Sequence, residues 1–263
     1  MTGLRVSVVQ YLNTAPLIWG MIRGEQRGKF QMDFTTPAEC AEAIRKGSAN
    51  VGIIPAIEAQ RIDGLEAVQG LSISSPGSAK SVILISKKPI EEVGSVATDT
   101  SSRTSTALVT ILLRKFYGLR PQMTPAAPDP AAMLRTADAA LLIGDPALVY
   151  QPGSLRVYDL AAEWKKFTGL PFVFALWAGP QSAGLAHFTA DFQQSRDYGL
   201  AHVDEIAAEY APRHGLTPEQ VKIYLTQNIN YTLDRDHHEA MALFFRLAFE
   251  EGLIPAVKEI CFV

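Results

Sequence analysis

The chain has 263 residues, with 24 Lys and Arg against 27 Asp and Glu, which gives a formal charge of -3 at pH 7. Hydrophobic residues make up 48% and charged residues 19%, which is enough apolar material for a sizeable core and too little charge for a disordered chain. The acidic balance and the lack of a basic run exclude the electrostatic footprint of a nucleic-acid-binding protein. At this length two domains are expected.

The sequence also predicts where the protein works. No stretch reaches the roughly 18 uncharged apolar residues that span a bilayer, so no membrane partner is expected. The first residues lack a basic segment followed by a long apolar run, which predicts a cytoplasmic rather than an exported protein. Cys40 and Cys261 lie far apart in sequence, and we expect both to be reduced.

Short apolar runs alternate with helical patterns along most of the chain. The runs are brief, rich in Val, Ile, Leu or Phe, and bounded by polar, Gly or Pro residues, which predicts strands over 4–9, 51–54, 81–86, 96–98, 139–143 and 172–177. Their near-continuous apolar character is typical of sheets covered on both faces. The alternation therefore predicts an α/β protein with mostly parallel sheets flanked by helices.

Helix starts are indicated by capping chemistry. Thr36-Pro37-Ala38-Glu39 combines a hydroxyl cap, a proline at the first helical position and a reciprocal Glu, and Thr217-Pro218-Glu219-Gln220 repeats the arrangement. Residues 103–117 predict a long packed helix that ends at Gly118. After Gly184 the pattern is entirely helical, which predicts a helical layer at the C-terminus.

Two punctuated segments suggest how the chain is divided. Residues 86–90 and 178–180 each follow an apolar strand and bracket a block with its own strand-helix alternation. We interpret them as crossovers between a discontinuous lobe I (1–86 plus 179–263) and an inserted lobe II (87–178). A ligand cleft is expected between the lobes.

Ligands of open α/β sheets bind beyond the carboxyl ends of strands, where helix amides face them. Asn13 follows the first predicted strand and can cap a helix, contact a ligand, or do both. The run Asp99 to Ser105 supplies five hydroxyls and Arg103 directly before the long helix, more donors than one cap needs, and so predicts a site for a carboxylate or phosphate. Arg103 can instead pair with Asp99.

Three further segments stay open to a structural or a functional interpretation. Asp145 follows Gly144 at a strand end, where capping a helix is favoured over a general-acid role. Lys80 and Ser81 end a polar loop and face either the cleft or solvent. His237 and His238 are favoured as a solvated helix start, and no metal site is predicted because no spacing typical of one occurs.

Four of these segments together resemble a known family. The segments Tyr11-Leu12-Asn13-Thr14, Asp99 to Ser105, Leu141 to Leu148, and Trp164 followed by Thr168 to Ala175 resemble the chorismate dehydratase family of the futalosine route to menaquinone. The similarity runs from about residue 4 to Trp177, and beyond it only the helical character matches. The resemblance implies a two-lobed fold similar to type-two periplasmic solute-binding proteins, used in the cytoplasm as an enzyme without a cofactor.

The resemblance also implies a reaction and a set of site residues. Chorismate, the expected partner, would lose water to give 3-[(1-carboxyvinyl)oxy]benzoate, with one carboxylate held at Thr104 and Ser105. The candidate catalytic residues are Asn13, Ser81 and Asp145, and the substrate-binding candidates are Tyr11, Thr14, Lys80, Ser102, Arg103, Thr104, Ser105, Gly144 and Phe172.

No histidine falls in a strand-end motif, and Asp99 and Asp145 both have structural roles open to them. We therefore hypothesise that the enolpyruvyl carboxylate of the substrate takes the proton. Two other functions stay open. One is a solute receptor for a transporter, and the other is the related dihydroxynaphthoate synthase of the same pathway, which would need a larger pocket and a cleft histidine.

Overall fold

The computed structural model describes residues 3–263, which form two β-sheets flanked by helices. The first part of the chain contains β1 (Leu4–Val9), α1 (Ala15–Arg23), β2 (Phe30–Thr35), α2 (Pro37–Arg45), β3 (Val51–Pro55), β4 (Leu65–Ala67) and β5 (Leu71–Ser75). The middle part contains β6 (Val82–Ser86), β7 (Ser95–Asp99), α3 (Thr104–Ile111), β8 (Gln122–Ala126), α4 (Pro130–Thr136), β9 (Ala139–Ile143), α5 (Gly144–Leu148), β10 (Arg156–Asp159) and α6 (Leu160–Thr168). The last part contains β11 (Phe172–Pro180), α7 (Thr189–Ala201), α8 (Val203–His214), α9 (Pro218–Ile223), β12 (Asn230–Thr232), α10 (Arg235–Glu250) and β13 (Cys261–Phe262).

The first sheet has the strand order β12-β5-β11-β3-β1-β2, with β4 beside β11 and β13 beside β4, and the second has the order β10-β6-β9-β7-β8. We call the parts built on them the first and the second lobe. The predicted α/β class is confirmed, but the sheets are mixed rather than mostly parallel, since β11 and β6 run antiparallel to their neighbours. An apolar strand sequence indicates that both faces of the sheet are covered. It does not indicate whether the strand runs parallel or antiparallel to its neighbours.

The two strands next to the predicted crossovers belong to the opposite lobe from the one expected. Strand β6 pairs with β9 and β10 of the second sheet, although it was predicted in lobe I. Strand β11 pairs with β3, β4 and β5 of the first sheet, although most of it was predicted in lobe II. Gly and Pro mark where a strand ends and not which sheet it joins. Both crossings therefore lie before the strand rather than after it.

The predicted capping motifs are present. The Thr36 hydroxyl accepts a hydrogen bond from the Glu39 amide while the Glu39 carboxylate accepts one from the Thr36 amide, and Thr217 and Gln220 form the same reciprocal pair before α9. The long helix predicted over 103–117 is α3 followed by a π-helical turn, Leu112–Phe116, and a second π turn, Tyr224–Asn228, follows α9. Single π turns are frequent at functional sites.

Helix α7, in the last part of the chain, packs against α1 of the first lobe. Helix α7 lies so close to α1 that a Cβ on Gly199 would meet the Pro16 carbonyl oxygen at 2.0 Å. The Ser195 hydroxyl donates to the Leu17 carbonyl oxygen across the same contact. Within residues 3–263, no helix combines the length and apolarity needed to cross a membrane.

Candidate functional site between the lobes

A cavity of about 60 Å³, partly open to solvent, lies between the two lobes where strand ends of both sheets meet. The predicted site residues that line it are Tyr11, Asn13, Ser81, Ser102, Arg103, Thr104, Ser105 and Gly144. The rest of its wall is apolar and comprises Val9, Pro37, Ile53, Pro55, Ile73, Val82, Ile143, Phe174, Ala175 and Ile229. Asn13 and Thr104, which lie on different lobes, therefore share one pocket.

Four predicted site residues do not line this cavity, namely Thr14, Lys80, Asp145 and Phe172. Thr14 is buried and its hydroxyl donates to Asn13 Oδ1 at 3.4 Å. Lys80 lies in a neighbouring surface groove, with a backbone φ of 63°. Phe172 is 1% exposed and packs edge-on against Trp164 and Phe244 in the core.

On β11 the aromatic residue that lines the cavity is Phe174 instead of Phe172. The pairing of β11 with β5 shifts register between Val173 and Ala175, which makes Phe174 the irregular residue. A bulge turns a side chain away from the direction that strict alternation gives it. The sequence shows both phenylalanines, but strand alternation alone does not distinguish the core residue from the cavity residue.

The start of α3 carries backbone donors that are free of protein acceptors among the described residues. The amides of Thr104 and Ser105 have no protein acceptor within the described chain, as expected for the first turn of a helix. The Thr104 hydroxyl accepts a hydrogen bond at 3.2 Å from the amide of Ile57, a residue of the first lobe. Free amides and the helix dipole together favour a carboxylate or phosphate at this position.

Arg103 is held by two carboxylates of the first lobe. Its guanidinium donates to Glu58 at 2.8 Å and to Glu42 at 2.7 Å, and so is bound to carboxylates of the first lobe rather than to Asp99. Hydrogen bonding from Arg103 lowers the pKa of Glu42. Asp99 instead accepts from the amide and hydroxyl of Ser101. Arg103 lines the cavity, but its charge is already neutralised there.

Asp145 links the two lobes instead of capping its own helix. Helix α5 begins at Gly144, so Asp145 lies inside its first turn, and its Oδ1 accepts a hydrogen bond at 2.9 Å from the amide of Leu12. His214 Nε2 lies 3.8 Å from the other carboxylate oxygen. Burial raises the pKa of Asp145 above its ordinary value, against the lowering effects of the Leu12 amide and His214.

A second contact between the lobes places Tyr11 on Gly144. A Cβ on Gly144 would lie 2.6 Å from the Tyr11 ring, and the φ of Gly144 is +65°. Burial raises the pKa of the Tyr11 phenol above its ordinary value. Glycine is required here both by the backbone conformation and by the close approach of the ring.

Ser81 and Asn13 meet at a residue that the sequence did not indicate. The Tyr224 hydroxyl donates to Ser81 Oγ at 2.8 Å, and Asn13 also lies against that hydroxyl. Burial raises the pKa of Tyr224, and the side chain is 2% exposed. The helical pattern of residues 217–227 predicted a helix there, but nothing in that pattern indicated that Tyr224 contacts the site.

Within residues 3–263, no cluster of His, Cys, Asp and Glu is arranged to hold a metal ion. His237 was favoured as part of a solvated helix start, but it is buried and its Nδ1 lies 2.6 Å from Asp234 Oδ1 in the capping box of α10.

Two α/β lobes with a cavity at their strand ends define a protein of the periplasmic-binding-protein-like fold. Protein AF1704 of Archaeoglobus fulgidus superposes with a TM-score of 0.80 at 19% identity, covering 96% of this chain and 99% of that one. The periplasmic aliphatic sulphonate binding protein SsuA of Escherichia coli gives a TM-score of 0.69 at 20% identity, with 97% and 94% covered. At these identities the likeness concerns the fold alone.

The sequence comparison is more specific. The family model described as menaquinone biosynthesis matches residues 4–250, so the chain belongs to that family. The chain is also 28% identical over 257 residues to the chorismate dehydratase of Thermus thermophilus, with 89% of this chain and 91% of the relative covered. The predicted family is thereby confirmed.

Gly144→Ala tests the contact with Tyr11. The substitution forces a left-handed backbone on alanine, at about 1 kcal/mol, and adds an overpacking cost of about 1–3 kcal/mol from the Tyr11 ring. Gly153→Ala is the matched control, because Gly153 has a φ of +57° and no atom within 4 Å of its added Cβ among the described residues. Urea unfolding should show a clearly larger loss for Gly144→Ala, and equal losses would contradict the contact.

Asp145→Asn tests the burial of the carboxyl group. Because the folded pKa of Asp145 is raised, the stability it contributes is present below the ordinary value of 3.8 and is lost as the pH rises through the folded pKa. Asparagine resembles the protonated form and keeps an acceptor for the Leu12 amide. The variant should therefore gain free energy of unfolding relative to the wild type as pH rises from 3 to 7.

Asp138→Asn supplies a control of opposite sign. Hydrogen bonding from Lys88 and the Gly94 amide lowers the pKa of Asp138 to about 2, so its contribution is present above 3.8 and lost as the pH falls toward 2. This variant should lose stability relative to the wild type over the same rise in pH. Parallel pH profiles for the two variants would contradict the raised pKa of Asp145.

Proposed function

We propose that the protein is a chorismate dehydratase that converts chorismate to 3-[(1-carboxyvinyl)oxy]benzoate and water. The observation that carries the proposal is the cavity between the lobes, which combines free amides at the start of α3 with an apolar wall, in a chain of the menaquinone biosynthesis family. The similarity to the Thermus thermophilus chorismate dehydratase supports it. The enzyme would act as a hydro-lyase in the cytoplasm, on the futalosine route, without a cofactor.

The cavity suits a small cyclic dicarboxylate. One carboxylate would bind the Thr104 and Ser105 amides, which are positioned before the ligand arrives and need no reorganisation. The ring would pack against Ile53, Ile73 and Phe174 of the first lobe, whose side chains exclude water from the reacting carbons. A low-dielectric wall also strengthens the hydrogen bonds to the carboxylate.

The reaction removes one ring hydrogen and one hydroxyl group. The proton leaves the carbon that bears the enolpyruvyl ether, its electron pair forms a ring double bond, and the hydroxyl leaves the neighbouring carbon as water after taking up a proton. The resulting ring is aromatic, which drives the elimination. Asn13 and Ser81 would hydrogen-bond the departing hydroxyl and the charge that develops in the transition state.

The acceptor of the proton is proposed to be the substrate itself. Among the described residues that line the cavity there is no Asp, Glu or His, because Asp145 is turned to Leu12 and Asp99 to Ser101. The enolpyruvyl group is attached through its ether oxygen to the carbon that loses the proton, so its carboxylate can reach that hydrogen intramolecularly. The same lack of a lining histidine speaks against the dihydroxynaphthoate synthase alternative.

Incubation of the purified protein with chorismate tests the assignment. We expect ultraviolet absorbance to report chorismate consumption, and mass spectrometry to show a product lighter by one water. Gly144→Ala should lower the activity strongly because it displaces Tyr11 at the cavity, whereas Gly153→Ala should not. Tight binding without conversion would indicate a solute-binding protein, and an absence of binding would contradict the proposal altogether.

Asp99→Asn and Asp145→Asn test the substrate-assisted proton transfer. Removing a protein base lowers turnover by about 10²–10⁴-fold, so both variants should retain turnover within about tenfold of the wild type if the substrate is the base. Ser81→Ala should lower kcat by about 100-fold through loss of transition-state hydrogen bonding. A fall of several orders of magnitude in either Asp variant, with folding and binding intact, would identify a protein base.

A further inference from the structure

The loop before Ser81 is held rigidly by hydrogen bonds to its backbone. The Asp159 carboxylate accepts from the amides of Ala79 and Lys80 at 3.1 and 2.7 Å, and also from the Ser78 hydroxyl. The Gly144 amide donates to the Ser81 carbonyl oxygen at 2.8 Å. Hydrogen bonds thus fix the backbone on both sides of Ser81. The direction in which the Ser81 hydroxyl hydrogen points is set by the side chain and its partners.

Tyr224 restricts the rotation of the Ser81 hydroxyl. Its hydroxyl donates to Ser81 Oγ at 2.8 Å, so this oxygen already serves as an acceptor, and its own hydrogen must point elsewhere. The internal acceptor for that hydrogen is the Ala79 carbonyl oxygen at 3.4 Å, a long contact. Because Ser81 lines the cavity, a ligand oxygen there can accept the hydrogen at a better distance.

Tyr224 is itself held firmly. It is 2% exposed and begins the π turn Tyr224–Asn228, whose last residue donates from its side chain to the Ser78 carbonyl oxygen at 2.8 Å. The π turn therefore joins the C-terminal helical layer to the Ser81 loop at two points. A hydroxyl that accepts one hydrogen bond becomes a stronger donor in the next, since bonds in a chain polarise one another.

We infer that Tyr224 is a positioning residue, which orients and polarises the Ser81 hydroxyl so that its hydrogen points at the substrate oxygen in the cavity. The inference rests on the proposed function, because it assigns Ser81 the role of a donor to the reacting substrate. It gives the π turn after α9 a part in the chemistry, although among the described residues that follow β11 the cavity lining contains Ile229 alone.

Tyr224→Phe tests the inference, because it removes the hydroxyl and keeps the ring. The kcat for chorismate should fall about tenfold, with KM within about twofold, since the lost alignment matters most when charge develops in the transition state. In a Ser81→Ala background the same substitution should change kcat by less than about twofold, because there is no hydroxyl left to orient.

Tyr231→Phe is the matched control. Tyr231 is also 2% exposed, and its hydroxyl has no hydrogen-bond partner among the described residues. Its substitution should leave kcat within about twofold of the wild type. Equal effects of Tyr224→Phe and Tyr231→Phe, or full additivity of Tyr224→Phe with Ser81→Ala in kcat, would overturn the inference.

Equilibrium unfolding of the same variants tests the inference without any substrate. Tyr224→Phe should lower the unfolding midpoint of the wild type more than that of Ser81→Ala, where the Tyr224 hydroxyl has already lost its Ser81 partner and keeps Asn13. Equal lowering in both backgrounds would overturn the inference. If the wild type does not dehydrate chorismate, the proposed function fails, while the unfolding cycle still decides whether Tyr224 holds the Ser81 hydroxyl.

Discussion

The site depends on the buried carboxylate of Glu58, which forms ion pairs with arginines of both lobes. The Glu58 side chain is fully buried and accepts from Arg45 and Arg61 of its own lobe and from Arg103 of the other. An unpaired buried charge costs several kcal/mol, about 3–5 when one partner of such a pair is removed. The pairing therefore anchors the start of α3 against the first lobe, and the free amides of Thr104 and Ser105 follow directly after the anchored residue.

Different groups join the two lobes and line the cavity with free hydrogen-bond donors. Glu42 and Glu58 neutralise the positive charge of Arg103. The hydrogen-bond donors that remain for an anion in the cavity are therefore neutral amides and hydroxyls. Fixed neutral dipoles stabilise charge in an apolar pocket without a counter-ion that moves. Two further contacts join the lobes, one between Leu12 and Asp145 and one between Tyr11 and Gly144.

Much of the fold was predictable because its signals are local. The apolar runs of β1, β9 and β11 and the capping boxes at Thr36 and Thr217 need only neighbouring residues to form. Short or exposed strands such as β2, β8 and β10 were missed, because their half-exposed sequences lack a continuous apolar run. Strand direction and lobe membership depend on pairing between distant segments, which local pattern does not record.

The sequence by itself determined which strand ends carry donors, and eight of the predicted site residues line one cavity for that reason. Tertiary structure alone decided what those groups face. It paired Arg103 with Glu42 and Glu58, turned Asp145 to Leu12, and exchanged Phe172 for Phe174 through a register shift. It also brought Tyr224 to Ser81, 143 positions earlier in the chain. Side-chain partners across lobes follow from how separate elements pack, and only the folded chain contains that information.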